Sequence, residues 1–315
     1  MQIKRALRYL APNLITAVGV CFGLMSLKAA FEGRYIDASW LIVYAVLTDR
    51  LDGFVARLVR GTSELGVQLD SFADFLNFGL VPAVIVYLSL GNHPALPFVD
   101  GAGRVVLMIG CAVWIFGATF RLARYNITPE EPGHSKIFFG IPTTMAAGLV
   151  VAWFLALIKY SDPGGLMGQY VPLGGPKLFG DSLVTPEWVW RYFPATMLVG
   201  GAAMASTLRM PKLGLRNSRA FTAFIFANVL AGYIVGFARI LPEYIILPPT
   251  MWLVTFLVWG QLSREARAMR PPPIFPDKDP PPGQEPIRPE DDLLPEGEEL
   301  DADDFSGGSL NPRQG

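Results

Sequence analysis

Cysteine is almost missing from this chain. Cys21 and Cys111 are the only two in 315 residues, both inside apolar blocks, and no C-x-x-C or His/Cys ligand spacing occurs. A disulfide framework, thiol chemistry and a structural zinc site all need such residues, so the sequence argues against each. Histidine is equally sparse: His93 and His134 stand beside Pro or Gly in loop-like stretches with no ligand-like partner. No Ser/His/Asp or Cys/His set for covalent catalysis can be assembled. Charge is thin as well. Only 17% of residues are Asp, Glu, Lys or Arg, where a soluble domain carries roughly a quarter. A soluble globular enzyme is the class this excludes.

What is present is apolar sequence in long blocks. Half the residues are hydrophobic, and runs of about 20 suffice to cross a ~30 Å hydrocarbon core. Eight blocks can be read, at Leu10–Phe31, Ile36–Leu58, Asp70–Leu90, Val105–Tyr125, Ile137–Leu157, Tyr192–Leu208, Ala220–Ile240 and Ile245–Leu262. The expected fold is all-α, a polytopic transmembrane helix bundle of about eight spans. The short sixth block leaves six or seven as the alternative count. Lys4, Arg5 and Arg8 precede the first run, yet that run carries Pro12-Asn13 and continues to Phe31, which reads as a retained helix and not a cleaved signal. The Pro/Gly-rich stretch from Asp162 to Pro186 reads as a loop lying on the membrane, not a second domain. Gly19-x-x-x-Gly23 is a spacing that seats close helix contacts.

The near-zero net charge conceals two opposite parts. From Pro271 onward twelve Asp and Glu face three Lys and Arg, while the preceding residues carry 23 basic against 15 acidic side chains. Residues 271–315 are too proline-rich and acidic to bury a core, and a disordered cytoplasmic tail is expected there. Residues 1–270 are expected to form the transmembrane domain. With eight spans and a cytoplasmic N-terminus, fifteen basic residues flank the cytoplasmic ends and seven the opposite ones. That bias places both termini in the cytoplasm, and the expected location is the cell (inner) membrane.

Four carboxylates break the apolar pattern in Asp49-Arg50-Leu51-Asp52-Gly53-Phe54-Val55-Ala56-Arg57 and Gly66-Val67-Gln68-Leu69-Asp70-Ser71-Phe72-Ala73-Asp74. An ionised group in such a block costs a few kcal/mol or more unless paired or hydrated. Asp49, Asp52, Gly53 and Ala56 fall at i, i+3, i+4 and i+7, one helix face; Gly66, Asp70 and Asp74 fall at i, i+4 and i+8, one stripe. Two such stripes facing each other gather four carboxylates around one cavity, a cage for a hard divalent cation, Mg²⁺ or Mn²⁺. Gly53, Ala56 and Gly66 leave that face without bulk, so that a nucleotide can approach the backbone, and Arg57 offers phosphate a forked donor. A metal-ion transporter would also use intramembrane carboxylates, but it does not account for Gly53, Ala56, Arg57 and Gly66 at fixed offsets.

The segment resembles the CDP-alcohol phosphatidyltransferase signature, D-x2-D-G-x2-A-R-x8-G-x3-D-x3-D, at every fixed position. The resemblance implies a membrane-embedded helical enzyme, often a homodimer, that binds a CDP-lipid diphosphate through divalent metal and releases CMP. It implies that Asp49, Asp52 and Asp70 are metal ligands, that Asp74 is the general base and also touches metal, and that Gly53, Ala56, Arg57 and Gly66 form the nucleotide site. Further pieces resemble the serine-using members of the family: Pro12-Asn13-Leu14-Ile15-Thr16, Leu69 to Asp74, Phe120-Arg121-Leu122-Ala123-Arg124-Tyr125-Asn126, Phe139-Gly140-Ile141-Pro142, and Ser206-Thr207-Leu208-Arg209-Met210-Pro211-Lys212. These imply CDP-diacylglycerol and L-serine as substrates, with membrane lipid around the chain and no nucleic-acid partner. Arg121, Arg124 and Lys136 are cations able to hold serine's carboxylate or a lipid phosphate, and Asn13 and Thr16 can supply hydrogen bonds. Glycerol 3-phosphate, inositol, inositol phosphate and choline remain the alternative acceptors.

Overall fold

The computed structural model describes residues 2–59, 63–127, 137–168, 174–211, 219–268 and 271. Lys136, His134 and the acidic tail beyond Pro271 lie outside the described residues, and of Arg57 only the backbone is described. The elements are α1 (Gln2–Phe31), α2 (Tyr35–Val59), α3 (Glu64–Asp74), a π-helical segment (Phe75–Leu80), α4 (Val81–Gly91), α5 (Gly101–Ile127), β1 (Ile137–Phe139), α6 (Thr143–Lys159), α7 (Trp188–Ala205), β2 (Arg209–Pro211), α8 (Arg219–Phe237), α9 (Pro242–Leu262) and α10 (Arg264–Ala268).

Each of the eight apolar blocks contains a helix, and two depart from expectation at their ends. Ile137–Phe139 is not the first turn of α6 but a strand, paired antiparallel with Arg209–Pro211 so that Phe139 faces Arg209. Gly140 follows at φ +79°, and Pro142 precedes the first helical residue, so helix cannot run backward through Gly140–Pro142. At the other end α7 stops at Ala205, leaving Ser206 to Leu208 extended or bent. The described residues are therefore mostly helical, with one short two-stranded pair among them.

Among the described residues, four stretches are long and apolar enough to cross a membrane: Leu10–Phe31, Leu65–Gly91, Gly101–Ile127 and Pro242–Leu262. α2 is long enough but carries Asp37, Asp49, Arg50, Asp52 and Arg57. The 17 residues of α6 make about 25 Å of helix, short of a full ~30 Å core. Large apolar side chains such as Phe72, Phe116, Phe226 and Val199 point outward, which a lipid-facing surface accommodates and water does not. The chain is a membrane protein.

Contacts fix the direction of each helical passage. α1 and α2 are antiparallel, with Thr16 at Asp52 near one end and Ser26 donating to the Ala38 carbonyl near the other. α5 and α7 run parallel, Gly110 lying against Pro194 and Gly117 against Gly201. A Cβ on Gly117 would meet the Gly201 carbonyl, and one on Gly201 would meet that of Val113, so this crossing exists because both helices lack side chains there. α8 returns along α2, where Tyr233 donates to the Leu47 carbonyl and Arg239 pairs with Asp37 at 2.9 Å. α9 ends beside β2, Gly260 against Arg209. Taken in order, α1, α2, α3 through α4, α5, α6, α7, α8 and α9 alternate in direction. One end of the bundle gathers Thr16, Asp52, Arg121, Thr143 and Ala205; the far end gathers Asp37, Lys159 and Glu243.

Local chemistry supports this frame. Trp40, Trp114, Trp190, Phe78 and Phe154 are fully buried, and the indole of Trp114 donates to the Phe78 carbonyl at 3.0 Å, a group within the π-helical segment. At the far-end turn between α1 and α2, Lys28 and Arg34 bracket Glu32 and hold its carboxyl below the ordinary value, chiefly through the hydrogen bond from Lys28.

Candidate active site

The carboxylates sit on α2 and α3. Ser63 precedes α3: its backbone is extended and its hydroxyl accepts from the Gly66 N–H at 3.0 Å, capping the helix. The cap sets the phase of α3, so that Asp70 and Asp74 turn toward α2. Oxygen atoms of Asp49, Asp70 and Asp74 then lie within 4.8 Å of one another. The Asp49 carboxyl lies beside that of Asp74 and interacts with the side chain of Thr144, in the first turn of α6. Asp52 is buried and accepts from Thr16 Oγ1 on α1 at 2.9 Å. It stands outside the closest trio, but all four carboxylates line a single cavity of about 10 Å³.

The remaining residues read from the sequence fall around this cavity unevenly. Gly53 and Ala56 lie on α2 beyond Asp52, partly buried. Gly66 lies against Asn13 of α1: a Cβ there would stand 3.0 Å from Asn13 Oδ1 and 3.1 Å from Ser63 Oγ, so this approach tolerates little beyond hydrogen. Asn13 and Thr16 thus both belong to the site's rim or wall. Arg121 Nη1 donates to Thr143 Oγ1 at 2.7 Å, and its charge acts on Asp74 and Asp49. Arg124 is placed differently. It is buried and donates to the carbonyls of Phe139 at 2.6 Å, Ser206 at 3.0 Å and Ala205 at 3.1 Å. Those carbonyls are the open end of α7 and the edge of β1, so this guanidinium closes a helix C-terminus.

Five separate pieces of sequence converge at this end of the bundle. Asn126 Nδ2 donates to Ser71 Oγ at 3.0 Å, joining α5 to the carboxylate helix. β1 and β2 tie Phe139–Gly140 to Arg209–Pro211. A polar residue of the cavity has no counterpart in the sequence reading: Asn77, in the π-helical segment, is 3% exposed and lines the same space. Its signal was available, since Asp70, Asp74 and Asn77 continue one stripe at i, i+4 and i+7.

The donor chemistry fits a divalent cation. The lining residues of the cavity offer carboxylate, hydroxyl and amide oxygens and no thiolate or imidazole, in a bundle where clustered carboxylates need a counter-charge. A membrane helix bundle with oxygen-lined carboxylates at one end, flanked by small residues and an arginine, defines a class of intramembrane metal-dependent sites. The sequence model of the CDP-alcohol phosphatidyltransferase family matches residues 9–174, and the chain belongs to that family. Among its relatives, a CDP-diacylglycerol–serine O-phosphatidyltransferase of Helicobacter pylori is 40% identical over 152 residues, 48% of this chain and 60% of the relative. One of Mycobacterium bovis is 27% identical over 274 residues, 82% of this chain and 86% of the relative. An archaetidylserine synthase of Methanothermobacter thermautotrophicus is 28% identical over 159 residues, 49% and 62% respectively. The match thus spans less than two thirds of the Helicobacter and Methanothermobacter relatives.

Proposed function

We propose that this protein transfers the phosphatidyl group of CDP-diacylglycerol to L-serine, giving phosphatidylserine and CMP. The observation that carries the reading is the carboxylate cavity with Arg121 beside it, in a chain of this family whose relatives bear serine-transferase names. Asp49, Asp52, Asp70 and Asp74 would hold Mg²⁺ or Mn²⁺, which when bound supplies charge neutralisation for the diphosphate and the departing CMP. Gly53, Ala56 and Gly66 leave the nucleotide room against the backbone, and Arg57 meets phosphate. Asp74 accepts the proton of the serine hydroxyl as that oxygen attacks the lipid-bearing phosphorus, and the bond to CMP breaks in line. Arg121 holds the serine carboxylate, placing the hydroxyl by Asp74. Arg124 is assigned to the fold, since its donors already meet backbone carbonyls. Asn13 supports the approach to Gly66, and Thr16 orients Asp52. Lys136 is kept as a further cation for substrate.

The same reading takes all eight alternating passages as membrane spans, with both termini and the site at the cytoplasmic face of the cell membrane. It takes residues 1–270 as the catalytic domain, the acidic residues 271–315 as a solvated tail, and the working form as a homodimer.

The test is CMP release by purified protein from CDP-diacylglycerol with Mn²⁺ or Mg²⁺ and a panel of acceptors. Serine is expected to be used, ethanolamine poorly because it lacks a carboxylate. D74N is expected to lose at least about a hundredfold, the scale of a missing general base. Product with inositol, choline or glycerol 3-phosphate but none with serine would overturn the acceptor; near-normal D74N activity would overturn the base. Cation flux across proteoliposomes without CMP release would mark a transporter.

A further inference from the structure

Arg50 is out of keeping with its place on α2. Its side chain is exposed, and among the described residues it makes no hydrogen bond and no ion pair. The residues beside and beyond it are apolar: Leu51, Phe54 and Leu58 are 41%, 57% and 71% exposed, which marks that flank as lipid-facing out to Leu58. Arg50 lies about 12 Å deeper along the helix axis than Leu58. An arginine can escape such a place by stretching toward the headgroups. Side chains on a helix lean toward its N-terminus, however, and the N-terminus of α2 is at the far end of the bundle from the carboxylates. The lean carries Arg50 inward. A cation so placed is costly unless an anion meets it.

Its surroundings narrow the choice of anion. α8 packs on α2 one turn deeper, where a Cβ on Gly236 would meet Leu47 and Val43 and where Tyr233 donates to the Leu47 carbonyl at 2.8 Å. The charge of Arg50 acts on Tyr233 to one side and on Asp49 to the other. At about 100° per residue, the faces of α2 follow in a fixed order. Asp49 and Ala56 come first, then Gly53, then Arg50 with Arg57 two turns further out on the same line, then Phe54, Leu58 and Leu51. A lipid-linked diphosphate needs this order. Its reacting phosphorus must sit by the aspartates while its acyl chains stay in the bilayer, so the phosphate that bears the diacylglycerol crosses the face between. Gly53 has no side chain to obstruct that crossing, and Arg50 stands where it ends.

We infer that Arg50 holds the diacylglycerol-bearing phosphate of the CDP-lipid, at the border between the carboxylate cavity and the lipid-facing flank of α2. The residue fills an open position of D-x2-D, so the signature itself gives it no role. The inference deepens the transferase reading and rests on it for the identity of the lipid, but not on which alcohol is the acceptor. The competing account makes Arg50 a counter-charge for Asp49 with no part in binding lipid.

Equilibrium binding to the full-length protein in detergent, with Mn²⁺ and no acceptor, separates these accounts when read by calorimetry with three probes. CDP-diacylglycerol and CDP both carry the second phosphate, and CMP lacks it. R50A is expected to weaken the first two by at least about tenfold, the scale of one charge-assisted hydrogen bond, and to leave CMP nearly unchanged. R50Q carries the same expectation and serves if R50A does not fold. Equal losses for all three probes, or a fall in Mn²⁺ affinity measured without nucleotide, overturn the assignment in favour of the counter-charge. Wild-type CDP-diacylglycerol affinity in either folded variant also overturns it. So does a loss for CDP-diacylglycerol without one for CDP, since the contact is then not with the phosphate. If binding of both diphosphates depends on Arg50 while no alcohol yields CMP, the assignment stands and the transferase reading fails.

Discussion

Arg121 and Arg124 lie three residues apart on α5, yet their guanidinium groups meet different surroundings. Arg121 bonds Thr143 and acts on the carboxylates, whereas Arg124 meets the carbonyls of Phe139, Ala205 and Ser206. R121A should raise the KM for serine at least about tenfold, equivalent to ~1.4 kcal/mol, and leave that for CDP-diacylglycerol much less changed. R124A should instead lower the thermal unfolding midpoint in detergent, because several buried carbonyls lose their donor, while the protein that folds keeps its serine KM. Initial rates against serine concentration, with a melt of each variant, check both; a serine defect confined to R124A would reverse the assignment. The sequence could not separate the two arginines. Their spacing puts both on one face, and only the path of α7, some 80 residues later, decides which one is used up in capping. The aspartates were legible for the opposite reason: Asp49/Asp52 and Asp70/Asp74 are set by local helix periodicity, which needs no distant partner.

At the scale of elements, apolar runs marked every long helix, but not where α6 begins. Ile137–Phe139 is apolar enough to read as helix, and its strand state depends on Arg209–Pro211, a partner invisible to any local window. The α5–α7 crossing was equally hidden, since its close approach depends on Gly117 meeting Gly201 across 84 residues. The buried pair of Lys159 on α6 and Glu243 on α9, at 2.8 Å with side chains 5% and 0% exposed, also joins distant parts. Lys159 donates in addition to the carbonyls of Gly174 and Pro176. K159M should cost about 3–5 kcal/mol, because it strands a buried carboxylate. K159M/E243M should cost clearly less, since an apolar pair replaces both charges. Thermal unfolding of the three proteins in one detergent is the measurement, and equal losses in single and double variants would show that the pair itself is not what matters.

For the whole molecule, the alternation of passages sets the carboxylate cavity and the stretch after Lys159 at opposite ends of α6, whose first turn holds Thr144 by Asp49 and whose last residue bonds Glu243. If those ends face opposite sides of a membrane, S182C and R264C in a C21A/C111A background should be labelled by an impermeant thiol reagent from opposite sides of sealed vesicles. Labelling of both from one side would overturn the eight-span arrangement. The Lys159–Glu243 pair carries a consequence for biogenesis. If α6 and α9 both cross the bilayer, a growing chain delivers α6 well before α9, and the partners of the lysine ammonium that precede α9 are, among the described residues, the Gly174 and Pro176 carbonyls. The counter-charge arrives with the last long helix. On that reading a chain halted before Glu243 carries a lysine whose buried counter-charge has not yet been made.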